Sequence, residues 1–223
     1  MKKKEKTVSV NEIDETLAAG AGFVEKNWKV ICAVVGGLVV VIVAALLLNQ
    51  YYFAPRSLEA AEKMAAAEQL FVNGDYEKAL NGDGADDGFL QIIENYGCTA
   101  SGNLARLYAG LCLVQTDKVE EAVKYLEDFD PCDDEMISNA AIGALGNCYA
   151  KLGNNEKAAS TLLKAAKRAD NNTLSPLFYM QAGQIFESLG DKAKALDCYE
   201  TVKKQYPQSM QSMDIEKYIE RLK

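Results

Sequence analysis

Histidine is absent from this sequence of 223 residues. That removes Ser-His and Cys-His nucleophile pairs, imidazole general bases and imidazole metal ligands together. An enzyme built here would have to work with carboxylates, Lys, Tyr or a lone Cys, and no enzymatic function is expected. Proline is scarce, at four residues. Few prolines beside abundant Ala, Leu, Lys and Glu lean towards helix. A basic excess is also missing. Twenty-four Lys and Arg face 32 Asp and Glu, for a formal charge of −8, so the electrostatic footprint of a nucleic-acid binder is not there. The six cysteines at 32, 98, 112, 132, 148 and 198 form no Cys-x-x-Cys, which excludes zinc-ribbon and thioredoxin patterns. Cys32 sits in an apolar run. The other five are odd in number and read as small, mostly buried hydrophobes.

What the chain does have is one long apolar run. "VICAVVGGLVVVIVAALLL", residues 30–48, carries no charge over 19 residues. At ~1.5 Å per residue it spans roughly 28 Å, close to a hydrocarbon core. Trp28 precedes it, and Tyr51, Tyr52 and Phe53 follow it, as membrane interfaces favour. The run exceeds a cleavable signal h-region and ends without a small-x-small site, so it reads as an uncleaved signal anchor. Lys2, Lys3, Lys4, Lys6, Lys26 and Lys29 precede it, against Arg56 and Lys63 in the next 20 residues. That asymmetry places the N-terminus in the cytoplasm. The expected organisation is a cytoplasmic tail 1–29, a span 30–48, a linker 49–57 and an extracytoplasmic domain 58–223. In a bacterial cell this is a single-pass inner-membrane protein with a periplasmic domain. The tail from Asn11 reads as weakly helical at most, given its glycines.

Residues 58–223 repeat themselves. "GDYEKAL" at 74–80, "DKVEEAV" at 117–123, "GNNEKAA" at 153–159 and "GDKAKAL" at 190–196 align. Their alanines, Ala79, Ala122, Ala158 and Ala195, are 43, 36 and 37 residues apart. Around them recur a small residue followed three later by an aromatic or Leu (Gly110 and Leu113, Gly146 and Tyr149, Gly183 and Phe186), with Ala67 and Leu70 in the first copy. Four residues after the Ala come Leu126, Leu162 and Tyr199. Pro207 closes the last copy.

This pattern resembles the tetratricopeptide repeat (TPR), a helical hairpin with a period of about 34 residues. The resemblance implies an all-α solenoid of about four hairpins with a C-terminal capping helix. Close helix approach explains Gly110, Gly146 and Gly183, expected to face the alanines of the second helices. Positive φ explains Gly at 74, 153 and 190, with Asp117 substituting once.

The first copy is long because "NGDGADDG", 81–88, interrupts its second helix. Counted from Asp83, the stretch also places Asp87 and Glu94 where a calcium loop has ligands, but Ala85 occupies one ligand position. The preferred reading is a helix break, with Gly for the break and Asp86 or Asp87 capping the restart. Asp83, Asp87 and Glu94 are therefore only a weak metal candidate, and no cofactor is expected. "EDFDPCDDE", 127–135, reads as a solvated loop whose acids lie near the next helix N-terminus. Asn171-Asn172-Thr173 matches a glycosylation acceptor but reads as a capped loop.

In TPR proteins the first helices line a partner-binding groove. Transferred here, it comprises Leu104, Leu107, Leu111, Val114, Gln115, Asn147, Lys151, Met180, Gln184 and Glu187, apolar at its start and polar beyond. A carboxylate clamp is not expected from Asn147 and Lys151 alone. The apolar part suits an extended or helical apolar segment. In layout the chain resembles the YfgM-type ancillary subunits of the bacterial Sec translocon. That implies a membrane-tethered adaptor or chaperone-associated factor, with translocon components, periplasmic chaperones or translocated chains as partners. A structural scaffold in an outer-membrane assembly or secretion complex is the alternative.

Overall fold

The computed structural model describes the backbone of residues 10–223, and side chains from residue 26 onward. Lys2, Lys3, Lys4 and Lys6, four of the charges behind the orientation reading, lie outside the described residues. The chain divides into two units, one ending at Pro55 and one running Arg56–Lys223.

The first unit is a helix, α1 (Val10–Leu48), followed by a π-helical turn at Asn49–Phe53. The helix is long and apolar enough to cross a membrane. Between Val30 and Leu48 every side chain except Ile31 is exposed. Two expectations shift here. The helix starts at Val10, running through Gly20 and Gly22, and residues 49–57 are helical throughout. Extending an existing helix adds one bond per ordered residue and avoids the nucleation cost, so a long apolar helix carries weak formers on its flanks.

The remaining helices pair as hairpins. α2 (Ala54–Val72) is followed by α3 (Tyr76–Asn81) and α4 (Phe89–Tyr96). α5 (Ala100–Gln115) pairs with α6 (Val119–Glu127), and α7 (Ile137–Lys151) with α8 (Asn155–Ala169). α9 (Ser175–Ser188) pairs with α10 (Lys192–Gln205), and α11 (Met210–Met213) and α12 (Ile215–Leu222) close the chain. At each hairpin turn the backbone enters the left-handed region: Gly74 at φ +85°, Asp117 at +61°, Gly153 at +74° and Gly190 at +77°. The next residue then donates its N–H five residues back, from Asp75 to Leu70, Lys118 to Leu113, Asn154 to Tyr149 and Asp191 to Phe186. This satisfies a carbonyl that the helix end would otherwise orphan.

Each hairpin buries its apolar stripe against the next. One core cluster gathers Met64, Phe89, Ile92, Leu113 and Leu126, and reaches Ala141 and Cys148 of α7. A second gathers Leu162, Phe178, Tyr199 and Val202, and is closed by Ile215 and Ile219 of α12. The recurrent spacing of the small residues has a more specific cause than expected. Gly110, Gly146 and Gly183 do not chiefly face the alanines. A Cβ at each would lie 2.6, 2.8 and 2.5 Å from Leu126, Leu162 and Tyr199 respectively. The large residue one turn beyond the alanine fills the space that the glycine leaves.

The insertion is a helix break, with α3 ending at Asn81 and α4 starting at Phe89. Gly82 and Gly84 take φ of +85° and +93°. The Asp83 carboxylate accepts the loop's own N–H groups, from Ala85 at 3.0 Å and Asp86 at 2.9 Å. Asp87 pairs with Lys63 of α2 at 2.7 Å. Glu94 is exposed on α4. The three carboxylates thus serve different tasks. The capping expectation is corrected: neither Asp86 nor Asp87 caps α4. Gln91 does, accepting from Gly88 N–H at 2.9 Å and donating to the Asn81 carbonyl at 2.6 Å. A side chain inside α4 that bonds both broken ends restores the pairing that a lone N-cap would give.

Candidate protein-binding surface

The first helices α5, α7 and α9 position the predicted groove residues, and the structure separates these into three groups. Gln115, Asn147, Lys151 and Gln184 are exposed. Leu104, Leu111, Val114 and Met180 are half-buried against the cores. Leu107 is buried, 6% exposed, in the cluster shared with α7. The expected open apolar stretch is therefore corrected at Leu107, which the core closes off, while Leu104, Leu111 and Val114 keep part of their surface exposed.

Glu187 also differs from its expected role. Its carboxylate accepts from the Tyr199 hydroxyl at 3.1 Å and from Arg221 of α12 at 2.7 Å. It holds the terminal helix onto α9 and α10. Burial first, then this bond, pushes the Tyr199 phenol well above its usual pKa.

Between α6, α7 and α8 lies a network absent from the sequence-based expectations. The Glu127 carboxylate at the end of α6 accepts from the Tyr149 hydroxyl of α7 and from Lys157 of α8, the latter at 2.9 Å. The Lys157 ammonium stands 4.1 Å from the centre of the Tyr149 ring, a cation–π distance. The Tyr149 bond, then Lys157, holds the Glu127 carboxyl below its usual pKa. One hairpin on, Lys194 stands 5.3 Å from the Phe186 ring. The signal was present in the sequence: a Lys directly precedes Ala79, Ala158 and Ala195, and an aromatic residue closes the preceding helix in the last two copies.

Clefts open beside these lysines. One of about 300 Å³ is walled by Phe129, Pro131, Ile142 and Leu145, with Lys157 and Lys164 on its rim. Another of about 500 Å³ lies between Leu163, Phe186 and Leu189, beside Asp191 and Lys194. Above the first, the acidic loop is fixed in place. Asn103 donates to the Asp130 carbonyl at 2.7 Å and accepts its N–H at 2.8 Å. Asp134 accepts from Met136 and Ser138 N–H, each at 3.0 Å, and so caps α7. Asn171 accepts from Thr173 and Leu174 N–H at 3.0 and 2.8 Å, closing its own turn. Cys112 and Cys148 are buried free thiols, and Cys98 and Cys132 are exposed.

Comparison with known proteins bears on the hairpins directly. Tetratricopeptide-repeat family models match residues 141–174 and 178–209. Those two segments are tetratricopeptide repeats. The TPR-like arrangement extends beyond those two matches, over α2–α6. Nearly identical TPR-like repeats assigned to a putative kinesin light chain of Podosopora anserina superpose with a TM-score of 0.56 at 14% identity, covering 74% of this chain and 85% of that one. A single-residue variant of the same repeats gives the same score. The MamA protein superposes at 0.55 with 16% identity, covering 73% of this chain and 89% of its own. At such identities the likeness is one of fold. Among curated proteins, no sequence matches this one. TPR arrays are protein-binding modules, and nothing in the described residues points to catalysis.

Proposed function

We propose that the chain is a membrane-tethered TPR adaptor that meets protein partners at the extracytoplasmic face of a bacterial inner membrane. The observation that carries this is the row of exposed polar side chains on successive first helices, Gln115, Asn147, Lys151 and Gln184, in a chain that also bears an exposed apolar helix of membrane-spanning length. Residues 30–48 span the bilayer, 1–29 face the cytoplasm and the TPR array lies outside. Tethering raises the effective concentration of partners emerging at the membrane, so modest contacts suffice. Translocated chains, translocon components and periplasmic chaperones fit such a position, as in the YfgM-type subunits. Photo-crosslinkers at Asn147, Lys151 and Gln184, installed in cells, should trap these partners. Dominant adducts with outer-membrane assembly or secretion factors would replace the adaptor reading with that of an envelope scaffold. No adducts above those of a crosslinker at the loop residue Asn172 would remove the binding-face assignment.

A further inference from the structure

We propose that Asn73, at the turn of the first hairpin, is a site of spontaneous deamidation, and that the fold shields Asn81 from the same reaction. The chain contains two Asn-Gly pairs, and both read Asn-Gly-Asp, at 73–75 and 81–83. The reacting side chain, the attacking nitrogen and the residue after it are thus identical, and the structure alone separates the two sites. In the reaction the glycine nitrogen attacks the Asn side-chain carbonyl carbon. The new N–C bond closes a five-membered succinimide. The bond from that carbon to the amide nitrogen breaks, and the nitrogen leaves as ammonia with the proton from the glycine N–H. Water, the only other reactant, then opens the ring at either carbonyl and leaves aspartate or isoaspartate. Glycine favours the attack because it has no Cβ to crowd its nitrogen.

Ring closure needs the glycine peptide to swing onto the side chain, so what surrounds that peptide decides the rate. Asn73 lies one residue beyond α2, and both it and Gly74 are exposed. A Cβ at Gly74 would meet nothing within 4 Å, so the peptide has room to move. Its N–H is held by the Phe71 carbonyl at 3.0 Å. The Asn73 Oδ1 accepts from the Gln69 amide at 3.1 Å, which polarises the carbonyl under attack. The Asn73 Nδ2, the leaving group, makes no hydrogen bond among the described residues.

Asn81 differs on each count. It ends α3, and its Nδ2 donates to the Glu77 carbonyl at 2.9 Å and to the Glu77 carboxylate at 3.3 Å. That turns the amide back along the helix, away from Gly82. The Gly82 N–H donates to the Lys78 carbonyl at 2.7 Å, and Gln91 donates to the Asn81 carbonyl at 2.6 Å. A Cβ at Gly82 would lie 2.7 Å from the Asp86 carbonyl oxygen and 3.1 Å from the Gly88 nitrogen, so loop backbone walls this peptide in. Each additional hydrogen bond that must break slows closure about 2- to 10-fold. At Asn73 the product alters the turn itself. An isoaspartate adds one carbon to the backbone between residue 73 and Gly74, just before the Asp75 N–H that reaches the Leu70 carbonyl at 3.0 Å. Either product adds a negative charge at the C-terminal end of α2, where the helix dipole disfavours it.

The test ages the full chain in detergent at mildly alkaline pH and physiological temperature. Peptides from an acidic digest, which halts the reaction, are read by mass spectrometry for the mass gain of amide-to-acid conversion. Electron-transfer fragmentation tells isoaspartate from aspartate. In the folded protein Asn73 should convert about tenfold or more faster than Asn81, the scale of the extra bonds to be broken. In urea, which removes the fold, the two rates should converge to within about twofold, because the reacting residues are the same. Gln91→Ala, which releases the Asn81 carbonyl, should speed conversion at Asn81 and leave Asn73 unchanged. Equal rates in the folded chain, faster conversion at Asn81, or a tenfold preference that persists in urea would each overturn the proposal. So would an Asn73 that stays intact in the folded chain while the unfolded chain converts, or an Asn81 that Gln91→Ala does not accelerate.

Discussion

Substituting Gly183 by Ala sets two opposing effects against each other at one atom. Gly183 lies within α9, where Ala is favoured over Gly by ~0.8–1.0 kcal/mol. The added Cβ would, however, stand 2.5 Å from Cε1 of Tyr199 and 3.0 Å from Cδ1, well inside van der Waals contact at ~3.5–4.0 Å. The ring cannot retreat freely. Tyr199 is fully buried, and its hydroxyl is tied to Glu187, which also holds Arg221. Overpacking of this kind costs ~1–3 kcal/mol. The difference is a net loss of about 1 kcal/mol, or roughly 2–4 °C in Tm for a chain of this length.

The decisive observation is a change of sign. In a Tyr199→Val background the ring is gone, and Gly183→Ala should then stabilise by up to about 1 kcal/mol. Urea unfolding of the full chain in detergent, followed by circular dichroism at 222 nm, measures all four proteins of the cycle. Equal m-values across the cycle keep the comparison valid. If Gly183→Ala stabilises the wild type, or costs the same in both backgrounds, then the glycine is not there to admit Tyr199 and the packing rationale for the repeat motif fails.

Two further outcomes are expected. Asp117→Gly should stabilise by about 0.5–1 kcal/mol in the same urea assay, because it relieves a left-handed backbone at φ +61°. Gly153→Ala, whose Cβ would meet nothing within 4 Å but whose φ is +74°, should destabilise by a similar amount, and the reverse order would refute the turn reading. In spheroplasts an impermeant maleimide should modify the exposed Cys98 and Cys132 without lysis if the array faces outward. Cys112 and Cys198, pushed up to about 12 by burial, should react only after unfolding. Labelling of Cys98 and Cys132 that requires lysis would reverse the orientation.

The hairpin register was legible because it is encoded locally. A glycine, the aromatic or Leu three residues on, the turn glycine and the alanine all lie within one repeat. The helix glycine is demanded by a contact inside its hairpin, such as Gly146 with Leu162, and the turn glycine by its positive φ. Even the departure at Asp117 was readable, since Asp tolerates the left-handed region. The insertion was legible as a break for the same reason, but not its closure. Gln91 reaches back to Asn81 across 10 residues, and no local pattern announces that bond. The groove was the least legible element. Whether Leu107 faces a ligand or the next hairpin depends on the angle at which α5 meets α7. That angle is set by side chains about 35 residues away, which is the repeat length itself.

Glu187 follows from the same physics. Its position faces outward in any repeat taken alone, yet here it is engaged because a further helix follows. In a solenoid the last hairpin has an apolar face that no repeat covers. α12 covers it with Ile215 and Ile219, and its Arg221 must find an acceptor at the rim. Among the described residues Glu187 supplies that acceptor at 2.7 Å. A first-helix position can therefore serve a ligand in an internal repeat and hold the cap in a terminal one. On the hairpin before the capped one, the first-helix residues Asn147 and Lys151 carry no such duty and remain open to solvent.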